Sequence, residues 1–285
     1  MSDLSIATRG SALALAQARW VGERLTAAHR GLEVTYVEVT TSGDRDRVTS
    51  VTTLTEVGAF VRAVQETVLE GRADVAVHSC KDLPVDGPAD LASVFPEREV
   101  PWDVLCGHSL DSLHRGARVG TGSPRRAAQL LALRPDVEVA DIRGNVETRL
   151  AKVRSGEFDA VVLAEAGLRR LGLGHEIRHR FALAEMVPAP AQGALAVEIP
   201  SDDSRLDLIM AIDHADTRTA VEAERDLLAQ TGAGCRSALG VYAKVKSRSI
   251  HLTGFVADDG GERHAEAEAL SPEAASRSLR AGLEL

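Results

Sequence analysis

Between Asp74 and Pro84 the chain reads Asp-Val-Ala-Val-His-Ser-Cys-Lys-Asp-Leu-Pro. Four side chains within five residues, His78, Ser79, Lys81 and Asp82, can donate, accept or carry charge. Asp82 is the one acid of the turn. Such a carboxylate can stabilise a developing positive charge or relay a proton. Taken alone, Lys81 and Asp82 read equally as a solvated turn pair, and His78 reads as a residue that orients the turn. The arginines elsewhere in the chain give the turn its interest.

Three times the chain runs strand, Arg or Gly, capping residue, helix: Ile6-Ala-Thr-Arg-Gly-Ser11, Val119-Gly-Thr-Gly-Ser-Pro-Arg-Arg126 and Ile142-Arg-Gly-Asn145. A helix N-terminus already carries partial positive charge and unsatisfied N–H groups. Arg125 and Arg126 in a first turn oppose that dipole, where a chain built for stability alone would place Asp or Glu. An anion held at these helix ends, with guanidinium groups making charge-assisted bonds to it, accounts for the choice. Arg149, six residues after Arg143, could reach the same face from the second turn, and Arg170 could reach it from the next helix. Any one of these arginines, alone, reads as structural. The loop before Arg125 lacks the lysine and spacing of a P-loop and the third glycine of a dinucleotide fingerprint. A ligand with several carboxylates suits separate arginines better than one phosphate cluster does.

Cys235 stands in Thr231-Gly-Ala-Gly-Cys-Arg236, where glycines let the backbone approach closely and the sulfur project. A small packing residue is its plain alternative, and Cys80 and Cys106 are assigned to that role. Three widely spaced cysteines form neither a disulfide framework nor a CxxC metal site, so no metal is expected.

The elements that must position these groups follow from periodicity and punctuation. Strands are expected at 4–8, 33–39, 74–77 and 91–95, with helices at 12–28 and about 59–69. Residues 40–55, rich in Thr, Ser and Asp, read as a long loop or lid. Strands at 104–107, 118–120, 137–142 and 160–163 alternate with helices from 124, over 146–154 and through 167–171. A proline-marked link at 187–193 leads to a strand at 194–199, and helices follow at 202–212 and 218–229. Strands at 240–245, 249–256 and 262–269 and a helix from 271 make a small α+β end.

The chain of 285 residues is long enough for two or three domains. Its 33 basic and 42 acidic residues leave a net charge of −9, which argues against non-specific nucleic-acid binding. Aromatics are only 3%, so the cores must be aliphatic. No apolar run approaches membrane-spanning length, and the first residues lack the basic and apolar regions of a signal peptide. The expectation is a cytoplasmic protein without membrane or nucleic-acid partners.

The motifs together resemble the porphobilinogen deaminase (hydroxymethylbilane synthase) family. They include the three strand–cap–helix runs, the last continuing to Arg149, Ala76-Val-His-Ser-Cys-Lys-Asp-Leu-Pro84, Ala166-Gly-Leu-Arg-Arg-Leu-Gly172, Pro190-Ala-Gln-Gly-Ala194 and Ala233-Gly-Cys-Arg236. The resemblance runs over nearly the whole chain. It implies an α/β fold: two periplasmic-binding-protein-like lobes with mostly parallel sheets, a site in the cleft between them, and a small α+β C-terminal domain. The expected domains are 1–97 with 190–212, then 98–189, then 213–285.

The resemblance also implies a transferase that condenses four porphobilinogen molecules head to tail. They would add to a dipyrromethane cofactor bound through a thioether to Cys235, with loss of ammonia and final hydrolysis. Asp82 matches the catalytic acid, which would hold pyrrole N–H groups, stabilise a cationic intermediate and assist proton movement. Lys81, Ser123, Arg125, Arg126, Arg143 and Gln192 match cofactor-binding positions. Arg9, Ser11, Arg149 and Arg170 match substrate-binding ones, and the family implies a monomer. The chain departs from the family at Thr53-Leu-Thr-Glu-Val-Gly-Ala59, which has no lysine, at Trp102, at Gly122 and at Arg236. Two other readings stay open: a two-lobed binder of polycarboxylates without chemistry, and a paralogue that carries the cofactor but elongates poorly.

Overall fold

A computed structural model describes residues 3–39, 53–231 and 238–285, the side chains of 53–57 excepted. In chain order the first half holds β1 (Asp3–Arg9), α1 (Ala12–Ala28), β2 (Glu33–Val39), α2 (Thr53–Leu69), β3 (Val75–Ser79), a 3-10 turn (Cys80–Asp82), β4 (Leu91–Val94), β5 (Asp103–Cys106), β6 (Arg118–Gly120), α3 (Pro124–Leu133) and β7 (Glu138–Ala140). After these come α4 (Val146–Arg154), β8 (Ala160–Ala164), α5 (Glu165–Arg170), β9 (Ile177–Arg180), β10 (Leu195–Pro200), α6 (Leu206–Met210), α7 (Ala215–Thr231), β11 (Ala238–Lys246), β12 (Ser249–Asp258), β13 (Gly261–Ala269) and α8 (Pro272–Gly282). The chain divides into two compact units, Met1–Arg98 with Ala194–Arg218, and Glu99–Gly193 with Thr219–Leu285.

The first unit is built on a five-stranded sheet in the order β2-β1-β3-β10-β4. β1 runs parallel to β2 and β3, while β10 runs against β3 and β4. Alternation along the strands gives each face its own helix. Leu4 and Ile6 of β1 pack with Ala18, Val21 and Leu25 of α1. Ala7 and Ala76 turn the other way and pack with Val64 and Val68 of α2.

The second unit repeats the plan. Its sheet runs β7-β6-β8-β5-β9, with β6 parallel to β7 and β8, and β5 antiparallel to β8 and β9. Each α/β lobe therefore combines two parallel pairings with two antiparallel ones. The antiparallel strand is in each case the one that enters or returns through a long connection. The same unit carries the meander β11-β12-β13, covered by α7 and α8 through Ala223, Leu227, Leu252, Ala275 and Leu279. Val187, Ala238 and Phe255, with Ala128 of α3, join this meander to the lobe.

Three expectations need correction, and one strand is unexpected. α2 starts at Thr53 and not near Ala59; Gly58 weakened the helical signal, yet one glycine costs only about 1 kcal/mol against alanine. β9 has one apolar residue in Ile177-Arg-His-Arg and forms because β5 offers it an open edge. The helix expected over 202–212 shrinks to α6, since Asp203 caps Arg205 locally and competes with helix. α7 begins three residues early, at Ala215. No helix among the described residues is long and apolar enough to cross a membrane.

Candidate active site

In the second unit the arginine-bearing helix starts as the sequence suggests. Ser123 has extended backbone and its Oγ accepts from the Arg126 N–H, with Pro124 in the first turn. Both guanidinium groups then turn inward to Asp103 at the start of β5, which is fully buried. Arg125 Nη1 donates to Asp103 Oδ2 at 2.8 Å and to the Val187 carbonyl at 2.6 Å. Arg126 Nε donates to Asp103 Oδ1 at 2.9 Å and Nη1 to the Val162 carbonyl at 3.0 Å. Gln192 Nε2 donates to the same Oδ1 at 3.0 Å and to the Pro101 carbonyl at 2.7 Å. Burial works to raise the Asp103 carboxyl. The charges of Arg125 and Arg126, with bonds from Arg125 and Gln192, outweigh it and hold the group far below the ordinary carboxylate range.

One carboxylate thus faces two buried cations, and Arg125 Nε is buried without a partner among the described residues. Two further arginines lie nearby. Arg143 Nε meets Asp141 Oδ2 at 2.7 Å on the surface. Arg149 Nε donates to the Gly144 carbonyl at 2.8 Å. Burial, then repulsion from Arg126 and Arg143, lowers the Arg149 pKa against the opposing pull of Asp141. Arg125 and Arg126 thus share the single carboxylate of Asp103, and Arg149 lies close enough to Arg126 and Arg143 to feel their charge. Asn145 caps α4 behind them, its Oδ1 accepting from the Thr148 N–H at 2.9 Å. Arg170 Nη2 donates to the Gly193 carbonyl at 2.7 Å, and burial draws its pKa down to about 10 against the pull of Glu99.

In the first unit Ser11 caps α1, its Oγ accepting from the Ala14 N–H at 3.3 Å. A capping oxygen keeps its O–H free to donate. Arg9 lies 4.0 Å from the Phe60 ring centroid, a cation–π contact. β3 ends at Ser79, and the Cys80 N–H still donates to the Ala194 carbonyl at 3.0 Å. The Leu83 N–H then closes the 3-10 turn on the Cys80 carbonyl at 3.1 Å, leaving Lys81 and Asp82 half-buried. Cys80 is wholly buried, as is Cys106, whose thiol burial pushes up to about 12. Both are buried, as small packing residues are.

Residues 4–207 match the family model described as porphobilinogen deaminase, dipyromethane cofactor binding domain, and residues 218–285 match the porphobilinogen deaminase C-terminal domain. A curated relative named porphobilinogen deaminase, from Xanthomonas campestris pv. campestris, is 45% identical over 282 residues, covering 96% of this chain and 92% of its own. The chain belongs to the porphobilinogen deaminase family. Proteins of the same name from Stenotrophomonas maltophilia and Roseiflexus castenholzii are each 44% identical, covering 95% and 90% of this chain and 91% and 86% of their own. Among solved structures, substrate binding domain 2 of Lactococcus lactis GlnP is 12% identical with a TM-score of 0.43, covering 81% of this chain and 91% of that one.

The family's cofactor, dipyrromethane, carries carboxylate side chains on both rings, and the donor set of the second unit fits such a group. Two buried guanidinium groups share one carboxylate there, and a buried Arg125 N–H has no acceptor among the described residues. Two departures from the porphobilinogen deaminase pattern now have physical accounts. A Cβ at Gly122 would come within 2.8 Å of Asp141 Oδ1, so the partner of Arg143 fills the space a serine would need. Trp102 meets the Tyr242 ring of β11 at a tilt of 55° with centroids 5.2 Å apart, and serves the packing of the C-terminal meander. Cys235, Arg236 and most of the lid expected over 40–55 lie outside the described residues. Sequence reading missed Asp103, the acid that gathers Arg125, Arg126 and Gln192. Its partners are 22, 23 and 89 residues away, so no local pattern marks it.

Proposed function

We propose that the residues above divide the family's reaction between them. That reaction is hydroxymethylbilane synthesis (EC 2.5.1.61), a transferase step of tetrapyrrole and heme biosynthesis. Porphobilinogen, a small molecule, is condensed head to tail with loss of ammonia, and the linear tetrapyrrole is freed by hydrolysis. When bound, dipyrromethane supplies the nucleophilic pyrrole carbon to which the first substrate is joined. Cys235 holds it by a thioether. Arg125, Arg126 and Arg143 take its carboxylates, with Lys81, Ser123 and Gln192 around it. Arg9, Ser11, Arg149 and Arg170 take those of the incoming substrate. Asp82 accepts pyrrole N–H bonds, offsets positive charge as ammonia leaves, and holds or passes a proton at a carboxylate oxygen.

The observation that supports this reading is the pair of buried guanidinium groups, Arg125 and Arg126, that share the single carboxylate of Asp103 with Arg149 nearby. Buried cations without counter-charge are costly, and carboxylates of the ligand relieve that cost. The chain then forms three domains, 1–97 with 190–212, 98–189 and 213–285, and acts as a cytoplasmic monomer. Intact-protein mass tests it. The protein should weigh more than its sequence by two linked pyrrole units, and Cys235→Ala should remove the excess. An unmodified and inactive wild-type protein, made with ample porphobilinogen, would point instead to a passive polycarboxylate binder.

A further inference from the structure

Glu198 is a buried carboxylate with no part in the chemistry above. It lies on β10 and is 4% exposed. Gln65 Nε2, from α2, donates to its two oxygens at 3.1 and 2.9 Å. His78 Nε2, from β3, stands 3.1 Å from Glu198 Oε2, off hydrogen-bond alignment, and is as deeply buried. Three elements therefore meet at one acid. His78 pairs directly with Ala196 of β10, and the pairing continues to the Cys80 N–H at the first residue of the 3-10 turn.

The next residue of β3 is gripped from the other side. Successive strand residues point to opposite faces, and Ser79 Oγ accepts from Gln17 Nε2 of α1 at 2.8 Å. Ser79 is thus tied to α1, and His78 lies against the Glu198 carboxylate that Gln65 of α2 holds, three to four positions before Asp82. A buried acid, imidazole and amide are a poor choice for stability alone, since apolar side chains of similar volume serve as well or better. They do supply direction, which the turn beyond them needs.

We propose that Glu198, with His78 and Gln65, is a positioning residue for Asp82: the trio fixes the end of β3 and so aims the turn that carries the carboxylate. This rests on the catalytic reading of Asp82. Glu198→Gln keeps the shape and removes the charge. It should lower kcat on the order of 10- to 100-fold, as small misplacements of reacting groups do. KM should change little, and the cofactor mass and thermal midpoint should stay near wild type. His78→Gln, which restores a donor, should keep more activity than His78→Ala, and it serves as the second variant if Glu198→Gln folds poorly.

A double-mutant cycle with Asp82→Asn decides the matter. If Glu198 acts through Asp82, adding Glu198→Gln to Asp82→Asn should cost no further single-turnover rate. Losses that multiply, or a Glu198→Gln enzyme with wild-type kcat, overturn the positioning role while leaving Asp82 in place. A wild-type rate in Asp82→Asn alone removes the catalytic reading and this inference with it.

Discussion

The two lobes share one strand order and differ in what their buried acids hold. Each puts a carboxylate on the strand that runs against its neighbours, Glu198 on β10 and Asp103 on β5. In the first lobe that acid meets an amide and an imidazole, and the third strand runs into a turn with Lys81 and Asp82. In the second lobe the acid meets two guanidinium groups, and the third strand runs into α5. On the proposed reading a common scaffold separates two tasks: one lobe presents the Asp82 carboxylate on a turn, and the other gathers two buried guanidinium groups on one carboxylate.

If that separation holds, damage should split the same way. Asp82→Asn carries the largest expected effect: kcat falls on the order of 10²- to 10⁴-fold, the range general acid–base groups supply. Cofactor mass and thermal midpoint should not move, because a half-buried turn residue carries little of the core. A steady-state assay beside intact mass reads both. A wild-type rate would dissolve the contrast between the lobes.

Asp103→Asn should do the reverse. Removing the acid leaves two buried cations uncompensated, at a cost of about 3–5 kcal/mol by denaturant unfolding. The pH dependence sharpens the test. Asp103 has its folded pKa depressed, so its contribution is complete above the unfolded value of about 3.9 and is lost as pH falls toward the folded one. The stability gap between wild type and Asp103→Asn should therefore be constant near neutrality and narrow below about pH 4. A gap that stays constant into acid would mean that the ion pairs contribute nothing.

Gly193→Ala probes the segment that delivers Gln192 to Asp103. Gly193 has φ +89, and a Cβ there would lie 2.3 Å from the Glu99 carbonyl oxygen. The backbone must shift, at roughly 1–3 kcal/mol. Since Arg170 Nη2 also bonds the Gly193 carbonyl, KM for porphobilinogen should rise as stability falls. An unchanged KM would detach Arg170 from substrate binding.

What the sequence disclosed was local. Ser11, Ser123 and Asn145 all cap the helices they precede, and the turn after β3 carries Lys81 and Asp82 as read. Capping signals lie within four residues of the groups they satisfy, so they survive without tertiary context. The hidden features were non-local. Arginines in a first turn pointed to an anion, and the nearest anion is internal: Asp103, a strand residue beside Trp102 with nothing in its neighbourhood to mark it. β9 exists only because β5 has a free edge, and Glu198 gains meaning only when Gln65 and His78 arrive from other elements.

The smallest expected effect lies in those caps, and it compares the lobes on equal terms. Asn145 Oδ1 accepts from both the Thr148 N–H at 2.9 Å and the Thr148 hydroxyl at 2.8 Å. Ser11 Oγ accepts one N–H at 3.3 Å. Asn145→Ala should therefore cost about 1 kcal/mol and Ser11→Ala about half that, within the usual range for lost caps. The functional consequence should differ as well. Arg149 follows Asn145 by one turn, its N–H bonded to the Asn145 carbonyl and its guanidinium to the Gly144 carbonyl. Fraying that turn loosens an arginine assigned to substrate, so Asn145→Ala should raise KM with kcat nearly intact. Should both variants leave KM alone, the charge of the second lobe would depend on α3 and Asp103, and α4 would be scaffold.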